Sequence, residues 1–125
     1  MAENSTRAFP SLFVSHGSPM LTLTACPARD FLSGLGEQIE QEYGRPKAVI
    51  CVSAHWEHEV AAVTGAARLE TIHDFYGFPP ALYAQRSDVE GAPPLAEEVA
   101  TTLAKAGFQA GIDQGRGIDH GAWVP

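Results

Sequence analysis

Five histidines, at positions 16, 55, 58, 73 and 120, are the side chains of this 125-residue chain best suited to binding a metal or moving a proton. His16 follows the apolar run Ser11-Leu12-Phe13-Val14-Ser15, and His55 follows Lys47-Ala48-Val49-Ile50-Cys51-Val52-Ser53-Ala54. Both runs read as buried strands. In open α/β sheets ligands gather outside the carboxyl ends of strands, so two parallel neighbours would aim both imidazoles into one crevice. Imidazole suits iron, zinc, copper and nickel, and two histidines plus a further ligand make a facial site with open positions. The ordinary alternative for each histidine is a hydrogen-bonded loop residue. His120, between Asp119 and Gly121, has the usual proton-transfer group, and a carboxylate close in space would fix its tautomer. His73-Asp74 opens an aromatic stretch, Phe75-Tyr76-Gly77-Phe78-Pro79-Pro80, of the kind that lines small-molecule pockets or covers a core edge. His58, flanked by Glu57 and Glu59, reads as solvated.

Regular elements must hold these residues. Phe31, Leu32, Leu35 and Ile39 recur at helical spacing between Ala28 and Tyr43, with Gly44 and Pro46 as stops. That helix should bury one stripe and expose Glu37, Gln38, Gln41 and Glu42. Residues 47–54, apolar on both faces, predict a central strand, and Cys51 within it should pack as a small hydrophobe. A weaker strand is expected over 59–64, a structured loop over 71–80, and a helix from Pro93-Pro94 through Leu95, Val99 and Leu103 to Gly107. Residues 108–112 suggest another strand, and 113–125 read as loop. Strand-helix-strand alternation gives an α/β fold with a central sheet flanked by helices.

Composition narrows the function classes. Hydrophobic residues make up 45% and charged residues 18% of the chain, as in a folded domain. The net charge of −7 opposes binding to phosphate backbones and anionic membrane surfaces, so neither nucleic acid nor membrane is expected as a partner. Two cysteines, Cys26 and Cys51, make no disulfide framework. The opening residues lack a basic region followed by an apolar stretch, and no run is long enough for a membrane span, which predicts a cytoplasmic protein. Gly-rich phosphate loops, zinc-binding Cys pairs and nucleophile elbows are missing.

Four ordered motifs carry a resemblance. They are Ser15-His16-Gly17-Ser18-Pro19, Ser53-Ala54-His55-Trp56-Glu57, Thr71-Ile72-His73-Asp74-Phe75-Tyr76-Gly77-Phe78-Pro79 and Gly117-Ile118-Asp119-His120-Gly121-Ala122-Trp123-Val124-Pro125. Together they resemble the 4,5-DOPA extradiol dioxygenase family of the class III (LigB-type) ring-opening dioxygenases. The resemblance implies an enzyme that inserts both atoms of O2 into a catechol-type, DOPA-like substrate. It implies that His16 and His55 hold a non-haem metal, Fe(II) in ring-cleaving members with Zn(II) also found, and that His120 is an acid–base group. His73 matches a position near the same pocket and is expected to touch substrate. Family members are longer, and their further sequence supplies another metal ligand and another catalytic histidine. Residues 1–125 are accordingly read as the amino-terminal part of a single catalytic domain, ending before the site is complete. The strand at 47–54 and the helix at 28–43 would then expose apolar faces that favour a homo-oligomer or aggregation. The competing readings are a non-catalytic metal-binding or interaction protein on the same fold, and a zinc hydrolase. The hydrolase ranks last because no carboxylate is placed as a general base.

Overall fold

A computed structural model describes residues 7–125. The chain forms two compact units, the described residues up to Ile50 together with Pro125, and Cys51–Val124.

In the first unit, residues 7–17 carry no regular secondary structure and lead to a 3-10 turn at Pro19–Leu23. The Ser18 side chain caps this turn by accepting from the Met20 N–H at 3.2 Å. Helix α1, Pro27–Tyr43, starts with a proline in its first turn, where a missing N–H costs nothing. It stops at Gly44, whose φ of +82° suits glycine and whose N–H still donates to the Glu40 carbonyl. Leu32, Leu35, Ile39 and Tyr43 form a half-buried stripe, whereas Glu37, Gln38, Gln41 and Glu42 are exposed, as the spacing predicts. No residue of α1 is fully buried, and Phe31 lies outside the covered stripe. Arg7 ties the leading segment to the helix through an ion pair with Glu42 at 2.5 Å and a seat 4.8 Å from the Tyr43 ring centroid.

The second unit carries the regular strands. Strand β1 (Ala61–Thr64) leads to β2 (Arg68–Leu69), the short helix α2 (Pro80–Tyr83), β3 (Val89–Glu90), helix α3 (Pro93–Lys105), strand β4 (Ala110–Asp113) and the helical turn α4 (His120–Trp123). β1 and β4 pair in parallel, Ala61 opposite Ala110 through Thr64 opposite Asp113, and α3 packs on both. Parallel strands need such a crossover. β2 and β3 pair antiparallel, Arg68 opposite Glu90. The chain beyond β2 continues as a lone parallel bridge, Thr71 to Ile118, reinforced by Ile72 N–H to Ile118 O at 2.8 Å and Ile118 N–H to Glu70 O at 2.9 Å. Among the described residues, Leu69, Leu82, Ala96, Trp123 and Val124 are the buried apolar ones, with Leu82 fully enclosed. The α/β class expected from alternation is the class observed. Among the described residues, no helix is long and apolar enough to cross a membrane.

Several local expectations need correction. Residues 11–15 and 47–54 carry no strand or helix, with a bend at Lys47 and a turn at Ala54, and Phe13, Val49 and Val52 are largely exposed. An apolar run becomes a central strand only when neighbours take its N–H and C=O groups, and composition does not name those neighbours. Cys51, in the second run, is exposed instead of packed, and both cysteines are free thiols. The expected terminal loop holds α4, because the Asp119 side chain caps it by accepting from the Gly121 N–H. The 71–80 segment is a loop up to Pro80, where α2 begins.

Candidate active site

The loop after residues 51–54 presents His55, and the α4 turn presents His120 in its first position. Their rings meet, with centroids 4.0 Å apart and planes tilted by 33°. Each offers a nitrogen within 4.8 Å of the other's, so both imidazoles border the same small space. His55 is exposed while His120 is buried.

Asp119 holds the two loops together. It is 3% exposed, and a carboxylate that deep needs donors on both oxygens. Oδ1 accepts from Ser53 Oγ at 2.5 Å and from the Gly121 N–H at 3.0 Å, and Oδ2 accepts from Arg116 Nη2 at 2.9 Å. Ser53 Oγ also accepts from the His55 N–H at 3.1 Å. One carboxylate thus fixes the backbone that carries His55 and the turn that carries His120. Arg116 lies 4.6 Å over the Trp56 ring centroid, which adds a cation–π contact on the same side of the loop. Gly121 must stay a glycine here: a Cβ would sit 2.5 Å from Ser53 Oγ and 2.8 Å from His55 Cδ2.

The carboxylate beside the His120 ring is Asp74, not the adjacent Asp119. Asp74 Oδ1 accepts from the His120 backbone N–H at 2.9 Å and lies 2.8 Å from Nδ1. Burial works against the Asp74 charge. The hydrogen bonds from the His120 backbone and ring, with the attraction of that ring, outweigh it and hold Asp74 below the usual carboxylate range.

His73 lies in an aromatic cluster. Its ring packs edge-on against Phe75 (5.9 Å) and Trp123 (5.7 Å), and Nε2 sits 2.8 Å from the Gln85 carbonyl. A carbonyl only accepts, so Nε2 carries the hydrogen. Trp123 Nε1 donates to the Ile72 carbonyl at 2.9 Å, and Phe75 stacks edge-on against His120 at 5.7 Å. The aromatic loop therefore borders the His120 ring. Asp88 braces it from behind, accepting from the Thr71 N–H and hydroxyl at 2.9 and 2.6 Å. The Thr71 bonds pull the Asp88 carboxyl down to about 2, with help from Arg86.

His58 is exposed and turns back on Val60, whose N–H donates to Nδ1 at 3.3 Å. It stays apart from the His55–His120 pair. His16 sits in the first unit, half-buried, just ahead of Gly17 with its φ of +61°. An open hollow of about 470 Å³ lined by Arg68, Glu70, Thr71, Asp113 and Arg116 contains none of the histidines and is a solvated groove. Sequence reasoning missed Ser53, Asp74 as the ring partner, Arg116 and Trp56. Asp74 had one visible signal, its place beside His73 in an aromatic loop. Ser53 acts through a contact 66 residues away in sequence, Trp56 through the distant Arg116, and Arg116 through a turn to Asp119 that no local pattern announces.

Residues 10–125 match the family described as the catalytic LigB subunit of aromatic ring-opening dioxygenase. The chain is 40% identical over 117 residues to 4,5-DOPA dioxygenase extradiol of Beta vulgaris, covering 92% of this chain and 43% of that protein. It is 38% identical over 114 residues to the protein of the same name from Mirabilis jalapa, covering 90% and 42%. With the protein of that name from Escherichia coli (strain K12) it shares 37% over 121 residues, covering 96% and 42%. The chain spans less than half the length of these curated relatives.

Proposed function

The chain belongs to the family of the catalytic LigB subunit of aromatic ring-opening dioxygenases, and from that membership we propose that it contributes the amino-terminal part of an extradiol dioxygenase acting on a catechol-type, DOPA-like substrate. The observation that carries this reading is the meeting of His55 and His120 at 4.0 Å, braced by two buried or half-buried carboxylates. Relatives named 4,5-DOPA dioxygenase extradiol support the substrate class. Residues 1–125 would form one part of a single catalytic domain, in keeping with the 42–43% of each relative that the chain covers.

His16 and His55 are the metal ligands in this reading. The donors fit: imidazole nitrogens suit first-row metals, and the His55 ring is accessible. Fe(II) is the metal we assign, with Zn(II) the alternative. When bound, it supplies the Lewis acidity and electron transfer that join a catechol to dioxygen. The protein's own work is positioning and proton transfer. Ser53 and Asp119 orient the His55 loop, and supporting bonds of this kind typically set ~10- to 100-fold of metal affinity. His120 takes a catechol hydroxyl proton or returns one to the opening ring, a contribution typically worth ~100- to 10,000-fold in rate. His73, with Phe75 and Trp123, lines the apolar side where an aromatic substrate would lie. Dioxygen and the catechol are the partners this chemistry requires.

The test pairs metal content with oxygen uptake on a catechol such as DOPA, using Fe(II)-loaded protein of full family length and its His16→Ala and His55→Ala variants. Loss of both metal and oxygen uptake in each variant is expected. Full metal retention by either variant would overturn its assignment as a ligand.

A further inference from the structure

We infer that Asp74 is a positioning residue that dictates which ring nitrogen of His120 carries the hydrogen, an inference that rests on the acid–base role proposed above for His120. One oxygen, Oδ1, faces two groups of the same residue: the backbone N–H at 2.9 Å and ring Nδ1 at 2.8 Å. The pair of contacts fixes both the place of the residue and the rotation of its ring. A carboxylate has nothing to donate, so this 2.8 Å approach favours a hydrogen on Nδ1. The neutral ring is then the Nδ1–H tautomer, and Nε2 is the atom that takes a proton from a substrate hydroxyl and later gives it back. An imidazole in water prefers the opposite tautomer, with hydrogen on Nε2. Asp74 therefore inverts the ordinary preference.

Asp119, the sequence neighbour, cannot do this. Its oxygens are engaged by Ser53, Gly121 and Arg116. The division of labour is specific: Asp119 assembles the loops and Asp74 sets the ring. Phe75, next in the chain after Asp74, stands edge-on to the same imidazole at 5.7 Å and confines it from a second direction.

The test is a long-range 1H–15N correlation spectrum of the histidine rings in metal-free protein, at a pH where His120 is neutral, with its signals assigned by their loss in His120→Gln. Wild type should show Nδ1–H for His120. Asp74→Ala should move the population to Nε2–H, and Asp74→Asn should restore much of Nδ1–H, because an amide oxygen still accepts. An Nε2–H ring in wild type overturns the inference, as does an Nδ1–H ring that persists in Asp74→Ala. If Asp74→Ala fails to fold, the wild-type spectrum alone decides. In a second arm, Asp74→Ala in metal-loaded protein of full family length should lose at least tenfold in kcat on a catechol, with KM and metal content kept. In that longer protein, turnover unchanged by His120→Gln while wild type shows the Nδ1–H ring would overturn the acid–base reading and leave the placement by Asp74 standing.

Discussion

Gly121→Ala puts one methyl group into the tightest approach of the candidate site. The added carbon would lie 2.5 Å from Ser53 Oγ, 2.8 Å from His55 Cδ2 and 3.2 Å from Asp119 Oδ1, where ordinary contact begins at 3.4 Å. Gly121 has no left-handed backbone, so the cost is steric alone. The His55 ring must retreat by about 0.6 Å and Ser53 Oγ by about 0.9 Å, displacements in the range where overpacking costs ~1–3 kcal/mol. Ser53 Oγ cannot withdraw without stretching its 2.5 Å bond to Asp119, and a hydrogen bond to a charged group is worth ~1.5–3 kcal/mol. Part of that cost overlaps with the first, so a loss of ~2–3 kcal/mol in urea unfolding is expected. Calorimetric titration with Fe(II) or Zn(II) should show metal affinity reduced by ~10-fold or more, because His55 no longer holds its position. Gly111→Ala, where an added Cβ meets nothing within 4 Å, is the matched control. Unchanged metal affinity and unshifted His55 ring signals in Gly121→Ala would refute the reasoning.

In protein of full family length, His120→Ala should lower catechol turnover by ~100-fold or more while leaving metal content near wild type; equal losses of both would make His120 a ligand. The Asp88 carboxyl, held near 2 by Thr71 and Arg86, has a depressed folded-state pKa, so its contribution to stability is full above ~4 and disappears as pH falls toward about 2. Asp88→Asn should therefore flatten the acid limb of a urea-midpoint against pH curve, and an unchanged limb would contradict the assignment. Gly36→Ala, inside α1 with open space around the added carbon, should raise stability by ~0.5–1 kcal/mol; a lower unfolding midpoint would contradict the open helix surface.

The parts of the fold legible in the sequence are those set by local pattern. Helix α1 follows from Leu32, Leu35 and Ile39 with Gly44 behind them, and α3 from Pro93 and the four-residue steps to Leu103. β1 falls inside the expected 59–64 strand, and β4 overlaps the expected 108–112 strand and runs one residue past it. Residues 47–54 mark where this reasoning stops: Val49, Ile50 and Val52 announce extended backbone, but pairing belongs to neighbours that hydropathy does not name. The site follows the same division. His55 and His120 stood out by residue type and motif. The pairing of Asp74 with His120 did not, because the two are distant in sequence and an adjacent carboxylate, Asp119, offered the simpler guess.

The bond from Ser53 to Asp119 closes a loop of 66 residues, and this has a consequence for when the site comes into being. Loop-closure entropy must be overcome before such a contact returns anything, so contacts of this span form late in folding. The imidazole pair should be absent from early collapsed states, in which α3 and its neighbouring strands already associate. Short peptides covering 51–58 or 113–124 would carry the right histidines and still not reproduce the site. In hydrogen exchange, the amides of His120 and Gly121, held by Asp74 and Asp119, should open together with the Ser53 loop. A ligand that draws on both loops would slow that opening in proportion to its affinity.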